Sequence, residues 1–385
     1  MKCEVTDFSW PDFFESGFVF REGADTDGDG PSWLVGVGPF AALSPDKALL
    51  LALSRTPSLQ IFEQEFYAKT PEVLEPRLYR RLDGAQWLRF VGGFQKWAFS
   101  GRAPGSLLHL ADSPLEGGAA DQSFFKDLFS ESLRKIHSGE LKKAVPWTFA
   151  DLGWEMSPRR LASLLTSFAD QKSDLFPFGF WRVGCGTVGV SPELLYRRTG
   201  SHLQTMALAG TRPAEASDFE LQDEIKLNDE HSLVVQDVCE KLRTMGTITL
   251  HSRRSKNFGR LIHDFTPVSC ELLAVNDVEI IRGLHPTPAL GVFPSTAGTL
   301  WMRDLHQNRK RGFFGAPIGF SITDEHGQSE AQMVVAIRAY QWWADSATVK
   351  LMAGCGVTRD SDFALEWQEV CAKIRATQAM LTKAE

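Results

Sequence analysis

The chain is poor in cysteine, has no long apolar run and carries no surplus of positive charge. Its six cysteines in 385 residues (Cys3, Cys185, Cys239, Cys270, Cys355 and Cys371) are scattered. With no C-x-x-C pair and no finger spacing, they exclude a zinc module and read as reduced thiols of a cytoplasmic protein. The longest apolar stretch, "ALLLALS" at residues 48–54, is far below the roughly 20 residues of a membrane-spanning helix. The opening "MKCEVTDFSW" lacks the design of a secretory leader. A formal net charge of -7 argues against the basic face of a nucleic-acid binder. It leaves room for a small anionic ligand held by a local basic pocket. Internal repeats, low-complexity tracts and a strand–helix–strand rhythm are also missing, so solenoids and doubly wound parallel folds are not expected.

To about Ser123 the chain alternates short apolar segments with Gly- and Pro-rich turns such as "GADTDGDGPSW" and "VGVGPFAAL". Strands and loops with few long helices are predicted there. Beyond it, "FFKDLFSESLRKIHSG" and "SPRRLASLLTSFADQ" have helical spacing, as does a stretch from about Asn228 to Met245 with Gly246 as its C-cap. Strand-like blocks follow Phe178 and Pro317, and a last helix is predicted from about Asp362 to Lys383. Helices interspersed with runs of strands favour an α+β fold with large antiparallel sheets.

Two motifs are decoys. "DTDGDG" (Asp25 to Gly30) begins like a calcium loop, but position twelve is Gly36, where a closing Glu is needed. "GCGTVG" (Gly184 to Gly189) matches a dinucleotide fingerprint, yet the next residues are strand-like and bounded by Pro192, whereas the motif must open a helix.

The chemistry concentrates in acidic side chains. Glu230 of "LNDEH" shares a helical stripe with Val234 and Val238, an odd setting because carboxylates are rarely buried unless paired. In "LEWQEVCAK", Glu366, Glu369 and Lys373 lie on one helix face; alone they also suit a solvated charged stripe. Carboxylates about 4 Å apart repel by roughly 4 kcal/mol at an effective dielectric near 20. If these acids converge, a cation must join them, and oxygen-only ligands suit Mg²⁺.

"GVSPELLYRRTG", "ALAGTRP", "NDEHSLVV", "LHPTPA", "FFGAPIGF", "VVAIRAY", "AGCGV" and "SDFALEWQEVCAK" occur in that order. This succession resembles the chorismate-utilising enzymes, the family of isochorismate synthase, salicylate synthase, anthranilate synthase component I and aminodeoxychorismate synthase. It covers about Phe124 to Leu381. The resemblance implies an anthranilate synthase component I-like α+β fold, with two large antiparallel sheets packed face to face and helices outside. Residues 1–123 would complete the fold and residues 124–385 would form the chorismate-binding catalytic region.

The resemblance also implies site residues. Mg²⁺ would be held by Glu230, Glu369 and, directly or through water, Glu366. Ala209, Gly210 and Thr211 would border the substrate, and Arg338 would grip the enolpyruvyl carboxylate with its guanidinium fork. The Gly354–Cys355–Gly356 turn would offer backbone N–H groups, and Lys373 would bind a further carboxylate. His263 would take an orienting role, the alternative being a satisfied core histidine.

Two positions separate family members. Water-adding synthases have a general-base lysine where this chain has Lys143, with Lys142 beside it; strand alternation lets only one face the site. Aminodeoxychorismate synthases have a nucleophilic lysine where this chain has Ala209. The expected reaction is therefore isochorismate synthesis: Lys143 takes a proton from the water attacking C2, and Glu193 protonates the departing C4 hydroxyl. Salicylate synthase is the alternative; anthranilate-type chemistry would need Gln at 143 and an amidotransferase partner. A binding protein without catalysis would have lost the base or the acids, all of which are present. No obligatory protein partner, nucleic acid or membrane is expected, and menaquinone and siderophore synthesis are both open destinations. The chain departs from the family pattern at Leu227, Asp264, Val292 and Pro146.

Overall fold

The strand "GFVFR" (Gly17–Arg21) is buried along its whole length, which explains why it carries no polar alternation. Successive side chains leave a strand on opposite faces, and a strand covered on both sides needs apolar residues throughout. Phe18 and Phe20 enter a core shared with Phe178 and Phe180 of the same sheet and with Ile61, Ile318 and Phe320 of a second sheet. Val19 points the other way, into the core containing Phe13, Phe90 and Trp181. Each such buried ring contributes about 1.5–3 kcal/mol.

The computed structural model describes residues 9–22, 31–44, 57–100, 118–172, 174–213, 221–258, 261–306, 311–343, 346 and 348–381. The acidic stretch Asp25 to Gly30 lies outside them, as does Cys3; the other five cysteines are free. The fold is α+β, with two large antiparallel sheets face to face. The eight-stranded sheet runs Leu78–Leu82, Trp33–Val37, Gly17–Arg21, Phe176–Arg182, Cys185–Ser191, Ala339–Trp342, Lys350–Gly354, Trp147–Asp151. At the centre of the ten-stranded sheet lie His202–Pro213, Leu194–Thr199, Ser329–Val335, Pro317–Thr323 and Ser58–Glu63. Strands from before residue 124 thus add to both sheets, Gly17–Arg21 beside Phe176–Arg182 and Ser58–Glu63 beside Pro317–Thr323. Among the described residues no helix is long and apolar enough to cross a membrane.

The chain passes from one sheet to the other twice at the same place. Cys185–Ser191 belongs to the eight-stranded sheet and Leu194–Thr199 to the ten-stranded one, and Ser329–Val335 returns to the first sheet as Ala339–Trp342. The two crossings are stitched together: Val335 N donates to Glu193 O at 3.1 Å, Val190 N to Arg338 O at 3.1 Å, and Ser191 Oγ to Val335 O at 2.6 Å. Arg338 turns its backbone through φ 56° to make the bend, a conformation uncommon outside glycine.

Three expectations need correction. A sixteen-residue helix, Gly84–Phe99, stands in the first third, where few long helices were predicted. Its signal was local: Asp83 and Gln86 form a reciprocal capping box, and Trp87, Phe90, Val91, Phe94 and Ala98 make the buried stripe. The central helix spans Leu221–Arg243, so Glu230 lies well inside it and not in its first turn. Gly246 is no C-cap but the first residue of the strand Gly246–Leu250, where a Cβ would fall 2.0 Å from Glu271 O. "GCGTVG" runs into the strand Cys185–Ser191, so no helix opens on it.

One buried ion pair ties a helix to the ten-stranded sheet. Arg198 is 1% exposed; its Nε donates to Asp277 Oδ1 at 2.7 Å, Tyr196 Oη donates to the same oxygen at 2.8 Å, and Arg198 Nη2 pairs with Asp277 Oδ2. Removing one member of a buried pair strands the other charge. Asp277→Ala is expected to destabilise the protein by about 3–5 kcal/mol, measured as a lower denaturant midpoint; a midpoint within error of the parent would refute the clamp.

Candidate active site

Lys143 begins a two-residue strand paired with Val292–Phe293. As alternation requires, its neighbour Lys142 is exposed, with its ammonium 6.0 Å from the centre of the Phe293 ring. Lys143 is wholly enclosed, and its Nζ lies 3.0 Å from Glu230 Oε1. This contact accounts for the acid in the apolar stripe: Val234 and Val238 are each 1% exposed, and Glu230 can share their face because an ammonium meets it there. Gly356 is needed for volume: a Cβ would stand 2.0 Å from Glu230 Oε1 and 2.8 Å from Lys143 Cε. At Gly354 a Cβ would meet Pro146 O at 2.6 Å.

Glu230 and Gly356 line a cleft with a cavity volume of about 70 Å³, partly open to solvent, which also takes in Glu193, Ala209, Gly210, His263, Arg338, Gly354, Cys355, Glu369 and Lys373. Most residues singled out from sequence are therefore brought together. Lys143 is not itself on the wall but directly behind Glu230 and Gly356. Glu366 also sits behind the wall: it is 1% exposed and accepts a hydrogen bond from the Cys355 thiol. The side chain of Thr211 lies outside the described ones.

The cleft has a cationic side. Lys373 Nζ contacts Glu369 Oε1 at 2.6 Å and donates to Gly354 O at 2.9 Å, while Arg338 Nη1 donates to Lys373 O at 3.0 Å. Burial lowers the Arg338 guanidinium to about 10 against the pull of Glu369, which leaves it charged at neutral pH. Burial, then the charges of Arg338 and Lys373, push His263 well below its ordinary range, so the ring is neutral. Glu193 is 3% exposed; burial raises its carboxyl to about 8, although Lys143 and Lys373 pull the other way. At neutral pH Glu193 holds its proton.

Backbone and acids are less open than expected. The Cys355 N–H donates to Pro146 O at 3.4 Å, so this amide of the turn is already committed to the protein. The three glutamates face different partners, Glu230 a lysine, Glu369 another lysine and Glu366 a thiol. Among the described residues no group of three His, Cys, Asp or Glu side chains is arranged to hold an ion.

Sequence reading missed His231 as a support and the apolar lining. His231 is 3% exposed; its Nδ1–H donates to Ala209 O at 3.3 Å and its Nε2 accepts from Thr266 Oγ1 at 2.8 Å. It pins a bulge at Ala209–Thr211, where Gly210 takes φ 81°, the left-handed conformation that favours glycine. Leu208, Leu290, Phe314, Ile337 and Met352 supply apolar wall; single apolar residues carry no local signal that distinguishes a cleft from a core. Two departures from the family pattern have local causes. Asp264 accepts from Ser255 Oγ at 2.6 Å and pairs with Arg253. Val292 packs where a Cβ on Gly298 would come within 2.6 Å of it.

Residues 110–382 match the family model described as chorismate binding enzyme. The chain is 29% identical over 229 residues to isochorismate synthase MenF of Bacillus subtilis, covering 57% of this chain and 47% of that protein. It is 30% identical over 222 residues to the salicylate biosynthesis isochorismate synthase of Pseudomonas aeruginosa, covering 55% and 45%. The matched stretches thus span less than half of these two relatives. In three dimensions it is similar to MenF, the menaquinone-specific isochorismate synthase of Escherichia coli, with a TM-score of 0.71 at 21% identity over 97% of this chain and 92% of that one. The chain course expected from the motifs is the one observed.

The Glu193 carboxyl makes a pH prediction. Its proton is bound more tightly in the folded chain (about 8) than at the ordinary 4.5, so this carboxyl's contribution to stability is complete below 4.5 and is lost as pH rises toward 8. Glu193→Gln should abolish that decline, gaining on the parent between pH 5 and pH 8 by an amount on the order of a few kcal/mol. Parallel stability curves for the two proteins would contradict it.

Proposed function

This chain belongs to the chorismate-binding enzyme family, and from that premise we propose that it is an isochorismate synthase. The observation that carries the proposal is the placing of two proton-carrying groups at one cleft: Glu193, protonated at neutral pH, on its wall, and Lys143 enclosed behind Glu230 with Nζ 3.0 Å from Oε1. A group that gives a proton to the departing hydroxyl and one that takes a proton from the entering water are what is needed to lose a hydroxyl from one ring carbon and gain it at another.

In this reading Arg338 and Lys373 hold carboxylates of chorismate on the cationic side of the cleft. Lys143, having passed its own proton to Glu230 at 3.0 Å, takes the proton of a water attacking C2, while Glu193 gives its proton to the departing C4 hydroxyl. The ring double bonds shift, one water enters, one leaves, and the product is an isomer of the substrate. Neutral His263 orients the ring without competing for the acid's proton. Ala209, where an amine would be needed for a covalent intermediate, favours water as the nucleophile. Names of curated relatives support the same activity.

Two carboxylates of the cleft are available to Mg²⁺. Glu230 and Glu369 border the same cleft, the thiol of Cys355 is pushed well above its ordinary range by burial and the nearby glutamates, and Mg²⁺ is usually bound by one or two carboxylates with substrate anions and water. Glu230 and Glu369 would hold the ion, with Glu366 acting only through Cys355 or water. When bound, Mg²⁺ supplies positive charge that fixes the ring carboxylate and offsets the two glutamates.

Incubation with chorismate and Mg²⁺, with products separated by chromatography, should give an isomer of unchanged mass. Lys143→Ala should lose about 10²–10⁴-fold in turnover with the fold retained. Salicylate with pyruvate, or an amine formed only with ammonia, would overturn the assignment.

A further inference from the structure

Arg311 is 2% exposed, and among the described residues no carboxylate pairs with it: its neighbours are carbonyls, a phenol and aromatic rings. Nε donates to Phe314 O at 2.9 Å, Nη2 donates to Leu290 O at 2.8 Å, and the guanidinium carbon stands 3.4 Å above the centre of the Phe66 ring. The Tyr67 hydroxyl is hydrogen-bonded to the same group. An enclosed guanidinium without a counter-anion is costly, offset here by carbonyl dipoles and the face of a ring. Such an arrangement calls for a reason other than stability.

The partners supply one. Leu290 and Phe314 both line the cleft, and Arg311 bonds the backbone of each. The turn is shaped to receive it: Gly315 has φ 80°, and a Cβ there would fall 2.9 Å from Arg311 Nη2 and 3.0 Å from Leu290 Cγ. Phe66 is itself anchored, its N–H donating to Gly312 O at 2.9 Å and its carbonyl accepting from His285 Nε2 at 2.9 Å. Segments distant in sequence therefore converge on one guanidinium. One of them, Phe66–Tyr67, precedes the stretch that matches the family model.

We infer that Arg311 is a positioning residue of the cleft, setting the spacing of the Leu290 and Phe314 walls against the Phe66–Tyr67 segment and placing a positive charge behind them. The inference rests on chorismate being the ligand. A dicarboxylate benefits from both features, the fixed wall through fit and the charge through the field it adds to that of Arg338 and Lys373. Lysine at this position would keep the charge but lose the fork that bonds two carbonyls at once.

The test is calorimetric titration of chorismate, with Mg²⁺ present, into the parent protein, Arg311→Lys, Arg311→Gln and Phe66→Leu, with thermal unfolding and steady-state kinetics alongside. Arg311→Lys should bind chorismate about tenfold more weakly and raise KM by the same factor, with kcat changed less than about threefold. Arg311→Gln should lose more, and Phe66→Leu about threefold in the same direction. Should the Arg311 variants not fold, Phe66→Leu decides by the same criterion. Variants that unfold earlier yet bind chorismate as tightly as the parent would overturn the inference and leave the proposed function standing. A parent protein that does not bind chorismate overturns both.

Discussion

A fully enclosed ammonium is tolerable only beside a counter-charge, and Lys143 has one in Glu230 at 3.0 Å. At that separation and an effective dielectric near 20 the attraction is about 5 kcal/mol, comparable to the penalty of burying either ion. Much of the neighbouring architecture follows from accommodating this pair. Glu230 must ride on a long helix, so that its stripe-mates Val234 and Val238 can anchor the helix in the core. Position 356 must lack a side chain, because the space a Cβ needs is taken by the carboxylate and by the lysine stem. The short strand carrying Lys143 is held on both sides, by Val292–Phe293 and by the Ala144–Val357 bridge.

Around that pair the sheets act as a rigid frame. The two crossings between sheets lie side by side, and each delivers one site residue, Glu193 from the first and Arg338 from the second. Hydrogen bonds between the crossings make their separation a property of the backbone and not of flexible side chains. Burial at this junction has opposite effects on the acid and the base residues it holds. It raises the Glu193 carboxyl and lowers the His263 ring, keeping both uncharged, while Arg338 remains charged.

The candidate site was legible in sequence to the extent that its residues sit in short motifs with chemical meaning. Glu193, Glu230, His263, Arg338, Glu369 and Lys373 all reach one cleft. Glu366 was harder, because helical spacing puts it near Glu369 but does not say that the Cys355 thiol stands between it and the cleft. The helix Gly84–Phe99 carries its signal in its capping residues and buried stripe, although the paired glycines of "FVGGFQ" weaken its helix propensity. The central helix begins at Leu221, ahead of the expected Asn228, in a stretch where Leu221 and Ile225 keep the i,i+4 spacing of a helix face.

The sequence by itself determined the class of fold, the order of the motifs and the chemical types available, because motif spacing, strand and helix periodicity and charge are local properties. Tertiary structure alone decided which charges meet. Lys143 finds Glu230 across 87 positions, Arg198 finds Asp277, and Arg311 gathers Leu290, Phe314 and Phe66. Such contacts depend on how sheets and helices pack, and a buried charge advertises its need for a partner without naming which one.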